Sequence, residues 1–211
     1  NDCVSFVVYG REEAKHPYPV IQGPKIATSS TAIRQGTSCL TDKKVLRYMV
    51  KHHLYTKSIL AAHLSEQRLA HTLRVKDLAL ELAAVHGIDE NKVKIAALWH
   101  DFHRENQTAH LDLAPYLRQE ITAYNHAYLA ADQLARHYYY SDKHVLKAIR
   151  HHVNGQANND IAKILFIADK CERGRQYDSE PYIRLSKKDL NEGFKAVKAA
   201  SEAYLRRNKN E

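Results

Sequence analysis

The sequence predicts a mainly α protein, in which a short α/β piece precedes an all-helical domain. Three observations carry that reading. From about residue 58 onward the apolar residues recur with the period of a helix. The β-rich run Val4-Ser5-Phe6-Val7-Val8-Tyr9 lies near the amino end and stops at Gly10. Pro17, Pro19, Gly23 and Pro24 then punctuate a loop that neither a helix interior nor a central strand tolerates.

Taken in order, the run before Gly10 reads as a buried strand, and Ile26-Ala27 as a short extended segment behind the loop. The hydroxyl cluster Thr28-Ser29-Ser30-Thr31 precedes Ala32-Ile33-Arg34, so Ser29 or Ser30 is expected to cap a helix. Such a start leaves backbone N–H groups open to an anion, with Arg34 one turn later. Asp42 is placed to cap a helix from Lys43 to His53. Ser65 to His86 carries the stripe His71, Val75, Leu78, Leu82, Val85 and stops at Gly87, a natural residue after a helix end. Asp89 caps the next helix, through Val93, Ala96, Ala97 and Trp99. Helical segments are predicted near 119–138, 142–152, 160–171 and 187–206, and no repeat of 20–50 residues is visible.

The 211 residues suffice for one domain, or one domain plus a fragment of another. A hydrophobic share of 44% and a charged share of 27% are ordinary for a globular chain. No apolar run approaches the roughly 18 residues that cross a bilayer, so no membrane partner is expected. The net charge of +8 favours anionic partners, but Lys and Arg are scattered, without a basic block or an aromatic-basic motif. A nucleotide or other phosphate ligand explains that pattern as well as nucleic acid would, so charge alone decides little; nucleic acid is nevertheless not the expected partner. Cys3, Cys39 and Cys171 are too few for a disulfide framework, and no secretory signal is read, so the expected setting is cytoplasmic. The chain begins with Asn1 rather than Met, as a piece of a longer protein would. A homodimer is among the assemblies the sequence leaves open.

Histidine is the anomaly: 14 residues, twice the 7 glycines, with eleven of them from His63 to His152. His71 falls in register with Val75, Leu78 and Leu82, so a helix turns it toward the core. His100 aligns with Val93, Ala96 and Ala97, and Asp101 follows it directly. His126 keeps helical spacing with Leu129, Ala130 and Leu134. His152 continues Val145 and Ile149, whereas His151 points about 100° away. Asp169 follows Ile161, Ile164 and Leu165. One such histidine is usually a packed residue bonded to a carbonyl, and His63, His86, His137, His144 and His151 read as solvated or merely packed. Six inward His and Asp residues on five predicted helices, with His100 and Asp101 sharing one, instead point to metal, as in bundles that project ligands to one interior point. Nitrogen and oxygen donors without thiolate favour iron, manganese or zinc. Six ligands exceed the need of one ion with an open position, so two ions sharing Asp101 is the economical reading.

The ordered set His71, His100-Asp101, His126, His152, Asp169 resembles the HD superfamily of metal-dependent phosphohydrolases. More closely, it is similar to the bacterial branch that hydrolyses diadenosine tetraphosphate symmetrically. The matching stretches are Arg68-Leu-Ala-His71, Ala97-Leu-Trp-His-Asp101, His126-Ala-Tyr-Leu-Ala-Ala, Ala148-Ile-Arg-His-His-Val-Asn-Gly155 and Ile167-Ala-Asp-Lys-Cys-Glu-Arg-Gly-Arg175. The last is similar to that branch's ADKxEPxR signature. The resemblance implies two iron ions bridged by Asp101 and a dinucleoside polyphosphate substrate cleaved to two ADP. Arg104 stands where the family usually has lysine, Arg173 replaces a proline, and Val153-Asn154 replace threonines. Arg104, Lys170 and Arg175 are the candidates for contacting the phosphates; Asp101, Arg104 and Lys170 are the candidate catalytic residues, with His103 a candidate proton carrier. A metal-containing module that binds nucleotides without turnover is the alternative.

The first 57 residues resemble the carboxyl-terminal end of nicotinate-nucleotide adenylyltransferase. Ser29-Ser30-Thr31-Ala32-Ile33-Arg34 is similar to the SSTxIR motif, which lines the ATP phosphates in that family, and Val45 to Tyr55 to its closing helix. Ser29, Ser30, Thr31 and Arg34 are the phosphate-binding candidates that this resemblance implies. The amino-terminal HxGH segment and most of the Rossmann-like sheet are absent, so adenylyltransferase activity is not expected from this chain. The implied organisation is an adenylyltransferase remnant over 1–57 and an HD-type phosphohydrolase over 58–211.

Overall fold

The structure, a computed structural model, describes residues 7–10, 17–22, 29–105, 124–156 and 159–207. Strands β1 (Val8–Gly10) and β2 (Val20–Gln22) form a parallel pair, with Val8 opposite Val20 and Gly10 opposite Gln22. Of the predicted run, the described residues place Val8 and Tyr9 in the strand, while Val7 lies outside it and is 54% exposed rather than buried. β2 corrects the loop predicted between Pro17 and Pro24: Val20-Ile21, two β-branched residues, is too short a signal to stand out between Pro19 and Gly23. Val4–Phe6, Ile26-Ala27 and 119–123 of a predicted helix lie outside the described residues.

Among the described residues, ten α-helices follow. α1 (Ser30–Arg34) starts at Ser29, whose hydroxyl accepts from the Ala32 N–H at 3.4 Å. α2 (Lys43–Lys51) is capped by Asp42, which accepts from the Lys44 N–H at 2.7 Å. α3 (Thr56–His63) leads to Ser65, which caps α4 (Glu66–His86). α4 ends at Gly87 in the left-handed region at φ 63°, and Asp89 caps α5 (Glu90–Trp99). Of the predicted stripe, Val85 is 52% exposed, because in that last turn it is His86 that turns inward to the Ser186 carbonyl, and Ala79 and Ala83 are buried instead. α6 (Asn125–Asp132) passes into a π-helical turn, Gln133–His137. α7 (Lys143–Arg150), α8 (Asp160–Cys171), α9 (Glu180–Lys188) and α10 (Leu190–Arg207) complete the described chain. The segment predicted at 187–206 is therefore two helices. Asp189, extended at the junction, accepts from the Asn191 and Glu192 N–H groups and starts α10 afresh.

α8 is the axis of the domain. Ile161, Ile164, Leu165, Phe166, Ile167 and Ala168 are all buried, which marks a helix covered on every side. It packs against α4, α5, α7 and α10, while α4 and α5 pack on each other across the short Gly87–Asp89 connection. Leu46, Met49 and Val50 of α2 and Ile59 and Leu60 of α3 join the same core as Val75, Ile95 and Leu165. α3 thus crosses position 57 with no break in the apolar packing. Among the described residues, no helix is long and apolar enough to cross a membrane.

Candidate metal centre

α4, α5, α6, α7 and α8 each deliver a polar group to one interior point. His71 comes from the second turn of α4, and His100-Asp101 from the end of α5. His126 opens α6, His152 follows α7, and Asp169 lies in the last turn of α8. All six are buried: His100 is fully enclosed, Asp101 is 3% exposed and Asp169 is 6% exposed.

The contacts centre on the two carboxylates. Asp101 Oδ1 lies 3.2 Å from His126 Nε2 and 3.5 Å from His152 Nε2. Asp101 Oδ2 lies 3.6 Å from His100 Nε2 and 3.8 Å from His71 Nε2. Asp169 Oδ1 lies 3.2 Å from His71 Nε2 and 3.8 Å from His100 Nε2. Two groups of three emerge, His71–His100–Asp101 and Asp101–His126–His152, and each has ligand atoms close enough to share one ion. Asp101 belongs to both, with one oxygen turned to each.

The ionisation states suit a cation. Burial lowers the His100 pKa to about 4, against the attraction of Asp101, so its imidazole is neutral at pH 7. Burial likewise lowers the His126 pKa, in spite of its contact with Asp101. Burial pushes the Asp101 carboxyl up, but the imidazoles of His100, His126 and His152 outweigh it and hold the group well below the usual range. At Asp169 burial is outweighed by the Lys170 charge and by the His71, His100 and His152 rings. The cluster thus buries two ionised carboxylates, which is costly unless cations compensate them.

Tautomers sharpen the fit. His100 Nδ1 donates to the Ala97 carbonyl and His152 Nδ1 to the Ile149 carbonyl, both at 2.7 Å, so each Nε2 presents a lone pair inward. The Nε2 atoms of His71 and His100 are buried and without a hydrogen-bond partner. A metal ion would satisfy both. His126 differs. Its Nδ1 lies 3.2 Å from the Arg104 guanidinium, which only donates, and its Nε2 lies 3.2 Å from His152 Nε2, already a lone pair. Both neighbours require the Nε2–H tautomer, so His126 becomes a ligand only when its proton moves and Arg104 turns aside.

Basic groups ring the carboxylates. Lys170 Nζ lies 2.8 Å from Asp169 Oδ2, and Arg175 donates to the Asp169 carbonyl and sits 3.3 Å from its Oδ1. The structure thus brings Arg104, Lys170 and Arg175 to the cluster. It adds Arg68, whose guanidinium donates to Asp101 Oδ2 at 2.9 Å; the signal was its place one turn before His71 on the same face. It also adds Glu172, 1% exposed and three residues after Asp169. Arg173 turns outward instead, to Glu81 at 2.9 Å and Glu180 at 3.0 Å, and ties α4 to α9. His103 is buried edge-on against Phe102. His151 is half-buried, with its ring against Tyr128.

Ser30 and Arg34 line a different place, an open cleft of about 520 Å³ shared with Lys44, Tyr48 and Tyr55. Arg34 sits 5.8 Å above the Tyr55 ring. Ser29 is spent on the cap of α1, and Thr31 is exposed.

The HD domain family matches residues 68–174, half of the chain and every residue of the cluster. A symmetrical bis(5'-nucleosyl)-tetraphosphatase from Halalkalibacterium halodurans is 35% identical over 138 residues, covering 61% of this chain and 74% of that protein. A probable nicotinate-nucleotide adenylyltransferase/Ap4A hydrolase from Mycoplasma genitalium is 26% identical over 219 residues, covering 92% of this chain and 61% of that longer protein. Among solved structures, a predicted HD superfamily hydrolase involved in NAD metabolism from Clostridium acetobutylicum superposes with a TM-score of 0.58 at 26% identity, covering 65% of this chain and 78% of its own. With its helices, its His-Asp cluster and these matches in agreement, the chain belongs to the HD-domain family of metal-dependent phosphohydrolases.

Proposed function

We propose that the chain hydrolyses dinucleoside polyphosphates at a two-metal centre, and that it cleaves diadenosine tetraphosphate into two ADP. The observation that carries this reading is the pair of donor trios sharing Asp101, one carboxylate oxygen to each. His71, His100, Asp101 and Asp169 would hold one ion, and Asp101, His126 and His152 the other. Nitrogen and oxygen donors without thiolate suit iron, with manganese or zinc as substitutes. Such ions, when bound, supply Lewis acidity that activates water and offsets charge on the phosphoryl oxygens.

The protein's own groups do the rest. Lys170 and Arg175 lean on Asp169 and Arg68 on Asp101, so all three stand where a polyphosphate would lie over the cluster. Each exchanges a carboxylate partner for a phosphate oxygen at little cost in charge pairing. Arg104, released from His126, offers a planar fork to the same chain. In the reaction the oxygen of water joins one of the two central phosphorus atoms. The bridging oxygen leaves with the other ADP, and the excess proton passes to solvent.

We further propose that residues 1–57 are the end of an adenylyltransferase-like domain and 58–211 the hydrolase domain. The Mycoplasma genitalium match supports this, because at 92% of the chain it extends into the first 57 residues. The parallel β1–β2 pair is of the kind that α/β sheets use.

The test is product analysis with diadenosine tetraphosphate and added iron or manganese. Two ADP per substrate is expected. ATP plus AMP would contradict the symmetric cut, and no turnover by fully metal-loaded protein would leave a nucleotide-binding module instead.

A further inference from the structure

We propose that Glu172 is a positioning residue of the centre, fixing which nitrogen of His71 faces the ligand cluster. The inference rests on the metal reading above and assigns a role to a residue outside the ligand set. An imidazole presents a lone pair from Nε2 only if something holds the proton on Nδ1. His100 and His152 obtain this from the Ala97 and Ile149 carbonyls near the carboxyl ends of α5 and α7. His71 makes no such bond. It is the sixth residue of the 21-residue α4, and its Nδ1 takes its acceptor from another element instead.

Glu172, just past the end of α8, is that acceptor. Its Oε1 lies 3.2 Å from His71 Nδ1. Its other oxygen is saturated by Arg74 Nε and the Gly174 N–H, each at 2.5 Å, so the carboxylate cannot rotate freely. The arrangement is two-by-two. α4 supplies His71 and, three residues on, Arg74; the end of α8 supplies Asp169 and, three residues on, Glu172. One face of α4 therefore docks on one face of α8 through a ligand pair and a supporting pair. Gly174 belongs to the same device, since a Cβ there would strike the Arg74 guanidinium. A negative charge behind His71 also makes its Nε2 a better donor to a cation, an effect worth about 10–100-fold in metal affinity where such partners are removed.

The whole 211-residue chain provides the readouts. In metal-free protein, long-range proton–nitrogen spectra are expected to show His71 with its proton on Nδ1. A proton on Nε2 would overturn the proposal whether or not metal binds. Manganese affinity, measured by chelator competition, is expected to fall about 10–100-fold in Glu172→Ala and also in Glu172→Gln, whose one amide oxygen goes to Arg74 and the Gly174 N–H and so turns the NH2 group toward Nδ1. Arg74→Met, which unclamps Glu172 without touching His71, is expected to fall several-fold and covers the case in which Glu172→Ala fails to fold. A purely structural role would lower the melting temperature of the metal-free variants and leave the manganese-induced increment unchanged; that result would overturn the proposal. A wild-type chain that takes up no manganese would instead overturn the metal reading itself.

Discussion

At the scale of single residues, Asp101 and Arg104 carry the most consequence. Asp101 offers one oxygen to each trio, so Asp101→Ala should empty both metal positions together. We expect metal content near zero by elemental analysis, and turnover lowered by at least about 1,000-fold, the upper scale for losing a charge-stabilising group. Full metal content in that variant would refute the ligand assignment. On the proposed two-metal reading, Arg104 holds His126 in the tautomer that cannot ligate through Nε2, and so would oppose loading of the Asp101–His126–His152 position. Arg104→Ala should fill that position at lower manganese concentration and raise KM for the polyphosphate; an unchanged second binding step would contradict this. The inward histidines were legible because a 3.6-residue period decides which imidazole faces the core, and His152 rather than His151 follows from it. Glu172 matches the Glu of the ADKxEPxR signature, but its contact was not legible, because its partners His71 and Arg74 lie about a hundred residues away and no local pattern reports such a contact.

Among the elements, the helix starts were the most readable feature. Ser29, Asp42, Ser65 and Asp89 each accept from a backbone N–H in the first turn, a local interaction that short sequence windows contain. α9 and β2 were missed for the opposite reason: their definition depends on what they pack against or pair with. α9 and α10 approach closely at Gly193, where a Cβ would sit 2.5 Å from Ser186 Cα. Gly193→Ala should therefore cost about 1–3 kcal/mol, read as a lower midpoint in urea unfolding. Glu81 joins α4 to α9 through Arg173 and Lys187, whose hydrogen bonds hold its carboxyl below the ordinary value of 4.5. A depressed carboxylate pKa contributes stability that is present above the unfolded value and lost as pH falls through the folded one. Glu81→Gln should thus cost about 0.5–1 kcal/mol at pH 7, small because the pair is solvent-accessible, and the gap to wild type should close in acid. A gap independent of pH would rule out the ionic account.

For the whole molecule, the question is how a domain tolerates two ionised carboxylates in its interior. Arg68, Lys170 and Arg175 compensate part of that charge at the rim, and bound cations would compensate the rest. Chelation should accordingly lower the melting temperature. A ligand at 1,000 times its Kd stabilises by about 4 kcal/mol, which for a chain of this size is on the order of 10 °C. The helical character of the domain was readable because periodicity runs through most of the chain. The shared core of α2, α3 and α8 was not, since apolar residues in sequence do not say which helices they will meet. The most direct test of the account is an anomalous-difference map at the metal absorption edge, from crystals of the chain grown with iron or manganese. The account predicts two peaks about 3.5–4 Å apart, one bounded by His71, His100 and Asp169, the other by His126 and His152, with Asp101 between them. A single peak, or peaks away from Asp101, would contradict it.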